Sequence, residues 1–318
     1  MKLCALILSV ALFASAQAPP EATYIVNSAS YAQWVSPESL ATIFGKNLSV
    51  GEYVAGALPL PVKLGETEVF SCIWQYAFAK ECPGGQPCCV QAELLYVGPN
   101  QINLRMPAST MSASSETRDI VVRVSGNAVK SLSAASVGRA APGIFEMGWD
   151  CGIDPRRPDT SPCGISWTKR GENQTKRGAI TDQAGNLITA KNPARVSQYY
   201  TLWLTGLGKI TNGKTIGTVN LMLYDVPVYS YTGTTSMYST VTWAGHSPQF
   251  PGLDQINFKL PDWLMGGKPE WNGYPPMHPC GDYSMELTLS VSMSSYGSEN
   301  SVQIPVVVKT GDVPCVAK

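Results

Sequence analysis

Apolar residues fall on alternate positions in several short stretches of the chain. Ile102, Leu104 and Met106 do so in one stretch, and Ile256, Phe258 and Leu260 do so in another. A period of two places one set of side chains on one face of a strand and leaves Gln, Asn and basic residues on the other. Val302, Ile304, Val306 and Val308 alternate as well, and Pro305 among them marks an edge or a bulge. Past the first residues, no long stretch carries a helical period. Gly (29) and Pro (24) punctuate the chain as turns between short strands do. The pattern predicts an all-β fold built of β-sandwiches.

The pattern also repeats. Gln101–Pro107 (QINLRMP) reads against Gln255–Pro261 (QINFKLP), an offset of 154 from 101 to 255. Leu40–Leu48 parallels Tyr200–Gly208, each a strand running into a glycine turn, with Gly45 set against Gly206 at an offset of 161. Asp119–Val124 parallels Ser284–Leu289. Three matches in one order predict two related domains, at 22–147 and 179–310. A joint rich in Cys, Pro and Gly at 148–178 lies between them, and a tail at 311–318 follows. Both copies place an Asn, Asn103 or Asn257, inside a strand, where Asn is disfavoured. A structural role is expected for both, the amide satisfying backbone groups of a neighbouring loop. A ligand contact is the alternative.

The first residues read as an export signal. Lys2 precedes the short apolar run Leu3–Ala14, and Ala14-Ser15-Ala16 forms a small-x-small cleavage site. The signal is therefore placed at 1–16, with cleavage near Ala16 and a secreted, periplasmic or cell-surface destination. No later run is long enough for a transmembrane helix. Export changes how the cysteines read. Nine minus Cys4 leaves Cys72, Cys82, Cys88, Cys89, Cys151, Cys163, Cys280 and Cys315, an even set that suggests disulfides. Proximity suggests Cys151–Cys163, Cys280–Cys315, and pairing of the other four among themselves. The Cys82, Cys88, Cys89 spacing does not fit a zinc site.

The opening stretch Ile25–Tyr31 followed by Val35–Leu48 (VSPESLATIFGKNL) resembles a family of secreted bacterial modules that begin "N-A-A-S-F … P-G-E-L-V-T-I-F-G-x-N-L". Leu94–Asn103 (LLYVGPNQIN), Ala141–Phe145 (APGIF), Asn192-Pro193-Ala194 and Leu204–Gly208 (LTGLG) resemble its later motifs in order. The family is that of secreted acidobacterial, Solibacter-type C-terminal domains, similar to IPT/TIG immunoglobulin-like domains. The resemblance covers roughly residues 24–310. It implies two tandem immunoglobulin-like β-sandwiches in a bacterial extracellular protein, and it implies no particular activity. The cysteine-bearing insert at 71–90, the joint, and the aromatic stretch at 224–243 look like additions to the family pattern. Loops and inserts on a rigid scaffold are where specificity is expected.

Composition and chemistry narrow the function. Lys+Arg (23) balances Asp+Glu (23), so the basic patch of a nucleic-acid binder is absent. The two histidines, His246 and His278, lack metal-binding or nucleophile-elbow motifs around them, and no calcium or dinucleotide loop appears. His246 reads as a loop residue before the second repeat. Asp254 is the best single catalytic carboxylate, with turn capping as its plainer role. No catalytic residue, metal or cofactor is expected. Tyr229, Tyr231, Tyr238 and Trp243 crowd a Ser/Thr-rich stretch and are the binding candidates, since aromatic faces stack on sugars and on protein surfaces. Cross-strand packing of those rings is the alternative. The expected function is a non-enzymatic surface binding or adhesion module for an extracellular protein or glycan. A glycan-acting hydrolase using carboxylates in the inserts and a ligand-free spacer are the alternatives.

Overall fold

The computed structural model describes residues 18–76, 79, 82, 87–108, 115–151, 174–210, 215, 218–227, 234–261, 283–293, 296–297 and 301–308. The expected signal peptide and C-terminal tail lie outside the described residues, as do Cys163, Cys280 and Cys315. Among the described residues the regular elements are all strands. None forms a helix long and apolar enough to cross a membrane.

The first sandwich packs two sheets. One orders Glu21–Asn27, Leu40–Lys46, Gln101–Arg105, Glu93–Val97 and Tyr53–Val54. The other orders Trp34–Val35, Asn127–Gly138, Ser115–Val124, Thr67–Ile73 and Lys63–Leu64, with Cys89–Gln91 added beside Thr67–Ile73. Alternation puts Ile43, Leu94, Ile102, Leu104, Ile120 and Val122 into one buried core. The cysteines at 72, 82, 88 and 89 pair among themselves as expected, Cys72 with Cys89 and Cys82 with Cys88. The first of these joins residues already opposite each other across two strands.

The second sandwich is one sheet curled over itself. Its path runs Gly143–Ile144, Tyr199–Thr205, Asp254–Lys259, Thr234–His246, Val219–Pro227, Tyr283–Met293, Val302–Val308, Gln174–Gly178 and Glu146–Cys151. The long strand Thr234–His246 makes the fold-over possible. Its first half pairs with Val219–Pro227 and its second half with Asp254–Lys259. A strand that leaves one sheet for the other at a bulge closes a sandwich corner. Leu202, Leu204, Ile256, Phe258, Leu287, Leu289 and Ile304 form the core inside. Pro305 sits where the missing N–H costs least. Its strand pairs with Tyr283–Met293 on one side. On the other side the proline falls between two short parallel pairings, at Gln303 and at Val306.

Two boundaries differ from expectation. Residues 140–147, placed in the first domain by sequence, belong to the second. Gly143 and Ile144 pair with Thr205 and Leu204, and Ala140 and Ile144 are buried in the second core. The ends of the expected joint are also strands of the second sandwich, Glu146–Cys151 pairing with Gln174–Gly178. Apolar Ile144 is drawn to whichever core offers it burial, and turn residues around it do not reveal which one. The two strand pairs that carry the sequence repeat are paired alike, but with a shifted first register. Leu40 pairs with Arg105 as Tyr199 pairs with Lys259, so the offset from 40 to 199 is 159, two fewer than the glycines suggest. An even slip keeps the same residues facing inward, which is why alternation alone did not reveal it.

The sandwiches meet through specific contacts. The Leu40 N–H donates to Thr205 Oγ1 at 2.8 Å, and Asn27 Nδ2 donates to the Ala141 carbonyl at 2.8 Å. Gly206, at φ 96°, packs so closely on the Ala141 carbonyl that a Cβ there would collide with it. Gly252, at φ 82°, lies against the Leu40 side chain in the same way.

Candidate functional site

The two sequence-flagged asparagines occupy equivalent places. Asn103 Oδ1 accepts from Thr42 Oγ1 at 3.2 Å and from Gln101 Nε2 at 2.8 Å. Asn257 Oδ1 accepts from Thr201 Oγ1 at 3.0 Å and from Gln255 Nε2 at 3.4 Å. Each is a short polar ladder on the outward face of a central strand, not a brace for a loop backbone. Correcting that expectation has a simple cause: the side chain opposite an inward Ile or Phe points outward, where its nearest neighbours are other side chains of the same sheet.

Around the second ladder the face is aromatic. Trp203 pairs with Gln255 one row along, and Trp243 lies directly opposite Asn257. A bulge between Val241 and Trp243 turns the indole outward, while Val241 stays against the core. The Trp243 ring lies over Gly245, where a Cβ would come within 2.9 Å of it, so the glycine gives the ring its seat. Trp243 is 40% exposed and Tyr199, at the end of the neighbouring row, 43%. The half-buried Trp203 indole N–H donates to Thr181 Oγ1 at 3.2 Å, which fixes its tilt. Trp203 and Trp243 stand two strands and two residues apart, a diagonal of about 12 Å by ordinary sheet spacing. Between them lie the amides of Gln255 and Asn257.

Of the four sequence candidates, Trp243 belongs to this face. Tyr238 lies in the first half of the same long strand, opposite Met222, on the other side of the corner. Tyr229 and Tyr231 lie outside the described residues. Sequence reasoning missed Tyr199 and Trp203. Their signal was the alternation Tyr199, Thr201, Trp203 set against the inward Tyr200, Leu202 and Leu204.

A second cluster sits at the junction. His246 ends its strand and is not a loop residue. Its Nδ1–H donates to Asp254 Oδ1 at 2.5 Å, and its Nε2 faces Glu38 Oε2 of the first sandwich at 3.8 Å. Asp254 is fully buried and also accepts from the Leu207 N–H at 2.8 Å. It therefore caps the turn after Tyr199–Thr205, as expected, and anchors the imidazole as well. Glu38 and Glu93 both pair with Arg105, at 2.9 and 3.1 Å. Burial alone would lower the His246 pKa, but the Asp254 hydrogen bond and the charges of Asp254 and Glu38 outweigh it and hold the value above the ordinary one. Burial pushes the Asp254 carboxyl up, against the donors that favour its ionised form. His246 Nε2 is buried and has no hydrogen-bond partner among the described residues, so no hydroxyl completes a triad there.

Beside this cluster the junction forms a groove of about 410 Å³, lined chiefly by Leu40, Leu58, Leu60 and Leu95 from the first sandwich and Phe250 and Leu253 from the second. Among the described residues, no group of three or more His, Cys, Asp or Glu is arranged to hold a metal ion. The turn at Asp182 binds its own backbone. Asp182 accepts from the N–H groups of Ala184 and Asn186 and from the Asn186 amide, which lowers its pKa.

No protein-family model matches the chain, and no curated protein matches it. Solved structures resemble it remotely. The surface glycan-binding protein PbSGBP-B from Prevotella bryantii is 10% identical, covers 90% of this chain and 41% of its own, and has a TM-score of 0.22. The plexin A4 extracellular region is 11% identical, covers 87% of this chain and 24% of its own, and has a TM-score of 0.22. A DUF4784 family protein from Bacteroides caccae is 9% identical, covers 90% of this chain and 98% of its own, and has a TM-score of 0.21. The chain thus spans about two fifths and one quarter of the first two. Scores this low assign no function.

Proposed function

We propose that this chain is a non-enzymatic extracellular binding module that takes a glycan on the outward face of the second sandwich. One observation carries the reading. Exposed Trp243 and half-buried Trp203 flank the amides of Gln255 and Asn257 on a single sheet face. Indole faces stack on the C–H faces of sugar rings, and amides between them donate to and accept from hydroxyls. Lys259 and Tyr199 extend the face at one end. The two disulfides agree with an oxidising compartment outside the cytoplasm. A protein ligand on the same face is the weaker reading, because the open face of the ladder is narrow and polar between its rings. Among the described carboxylates, Asp182 binds its own turn and the three at the junction are paired, which supports binding over hydrolysis. Glu38 and Glu93 share Arg105, and Asp254 is committed to His246 and Leu207.

The test is a glycan-array screen of the oxidised mature protein, followed by affinity measurement on the best hit with Trp243→Ala and with Tyr24→Ala. Tyr24 is an exposed ring stacked on Phe44 in the first sandwich. Binding weakened at least tenfold by W243A and left alone by Y24A is the expected outcome. Equal binding by both variants would overturn the site, and release of reducing ends from the bound glycan would overturn the non-enzymatic reading.

A further inference from the structure

We infer that His246 is a proton-operated clasp between the two sandwiches, closed when the imidazole is charged and loosened when it is neutral. Nδ1 lies 2.5 Å from Asp254 Oδ1, and a carboxylate there selects the tautomer that carries its proton on Nδ1. In a neutral ring Nε2 is then a bare lone pair, buried, without a donor, and 3.8 Å from the Glu38 carboxylate. Two acceptors facing each other in a buried site repel. One proton on Nε2 turns that repulsion into an attraction, and the imidazolium then joins a carboxylate of each sandwich.

Among the described residues the charged groups around it are three. Asp254 comes from the strand beside His246, Glu38 from the tight turn before Leu40–Lys46, and Arg105 from the end of Gln101–Arg105. Arg105 is the only cation among them, and it is held by Glu38 and Glu93. The Glu38 turn is rigid. Glu38 sits at φ 64°, its N–H donates to the Met106 carbonyl, and Ser39 Oγ accepts from the Ser36 N–H and donates to the Ser36 carbonyl. The turn holds the backbone that carries Glu38, and the ion pair with Arg105 holds its carboxylate near the ring. Leu40, next in the chain but one, donates its N–H to Thr205 across the junction and lines the apolar groove. A looser clasp is felt there first.

The sign follows from linkage. A histidine whose pKa is raised by folding stabilises the folded arrangement fully below its unfolded value of about 6.5. That contribution is lost as pH rises through the folded value. The clasp is thus closed in mildly acidic conditions and opens toward alkaline ones.

The experiment uses the mature protein and needs no variant for its first half. The chain has only two histidines, so the ring C–H resonances of His246 are assigned by comparison with His278→Gln. His246 is expected to titrate above the ordinary value of about 6.5. Hydrogen-exchange protection of the Leu40 and Leu207 amides, corrected for intrinsic pH dependence, is expected to fall several-fold through that midpoint. In Glu38→Gln, which keeps the shape and removes the charge, the midpoint moves down and the protection no longer follows pH above neutrality. A midpoint at or below 6.5, or flat protection in the parent protein across pH 6 to 9, would overturn the clasp.

Discussion

Both sandwiches carry a Thr–Asn–Gln ladder at the same place on equivalent sheets, yet they use one end of the surrounding face differently. In the first, the residue beyond the ladder is Arg105, tied down by Glu38 and Glu93, and Gly252 of the second sandwich packs over it and Leu40. In the second, the matching residues are Lys259 and Tyr199, and the rings of Trp203 and Trp243 stand beside them toward solvent. One copy has given the Arg105 end of its outward face to the junction and keeps Tyr24 and Phe44 at the other end, while the second copy has left the matching end open. The inward positions are bound to a core and stay alike, Ile102 and Leu104 against Ile256 and Phe258. Outward positions carry no such burden, so that is where repeated domains divide their labour.

That comparison can be broken first through the cores. Phe258→Ala removes a fully buried ring from the second sandwich and is expected to cost about 3–5 kcal/mol, and Leu104→Ala about 2–5 kcal/mol in the first. Denaturant unfolding with hydrogen exchange reads where the loss falls. Each variant should open its own sandwich at lower denaturant than the other, and a single joint transition in both would mean that the two cores behave as one unit.

The disulfide pair gives the next effect. Replacing Cys72 and Cys89 together by Ser removes a cross-link specific to the first sandwich, for about 2–4 kcal/mol. Unchanged exchange protection in the strand Asp254–Lys259 is expected, and equal loss there would show that the junction transmits the damage.

The ladders sharpen the comparison further. Asn103→Ala and Asn257→Ala each strip two side-chain hydrogen bonds and are expected to cost about 1 kcal/mol apiece. Calorimetry should find the two losses similar, while the glycan affinity falls only for N257A. A large difference in melting would separate the two ladders that the topology equates. The smallest effect on stability belongs to Trp243→Ala, within about 0.5 kcal/mol for an exposed ring. A melting temperature well below the parent's would make Trp243 a packing residue and not a surface one.

Much of the second sandwich's face was visible in the chain before it folded. Alternation identifies Gln255 and Asn257 as outward and Ile256 and Phe258 as inward, because a strand's side-chain period is locked to its backbone. Trp243 stood out as an aromatic in a polar stretch, but its outward turn depends on a bulge, which pairing creates and alternation does not reveal. The four cysteines between 72 and 89 paired locally because a short loop lets few partners meet.

The sequence by itself determined the β character, the repeated strands and the inward and outward sets, since each follows from local spacing and from one backbone geometry. Tertiary structure alone decided that 140–147 join the second sandwich, that the strand at Leu40 matches the one at Tyr199 with an offset of 159, and that His246 meets Glu38 of the other sandwich. Those outcomes depend on which distant surfaces find each other. Burial and charge act between neighbours in space, and two residues far apart in the chain carry no local mark of the neighbour they will have.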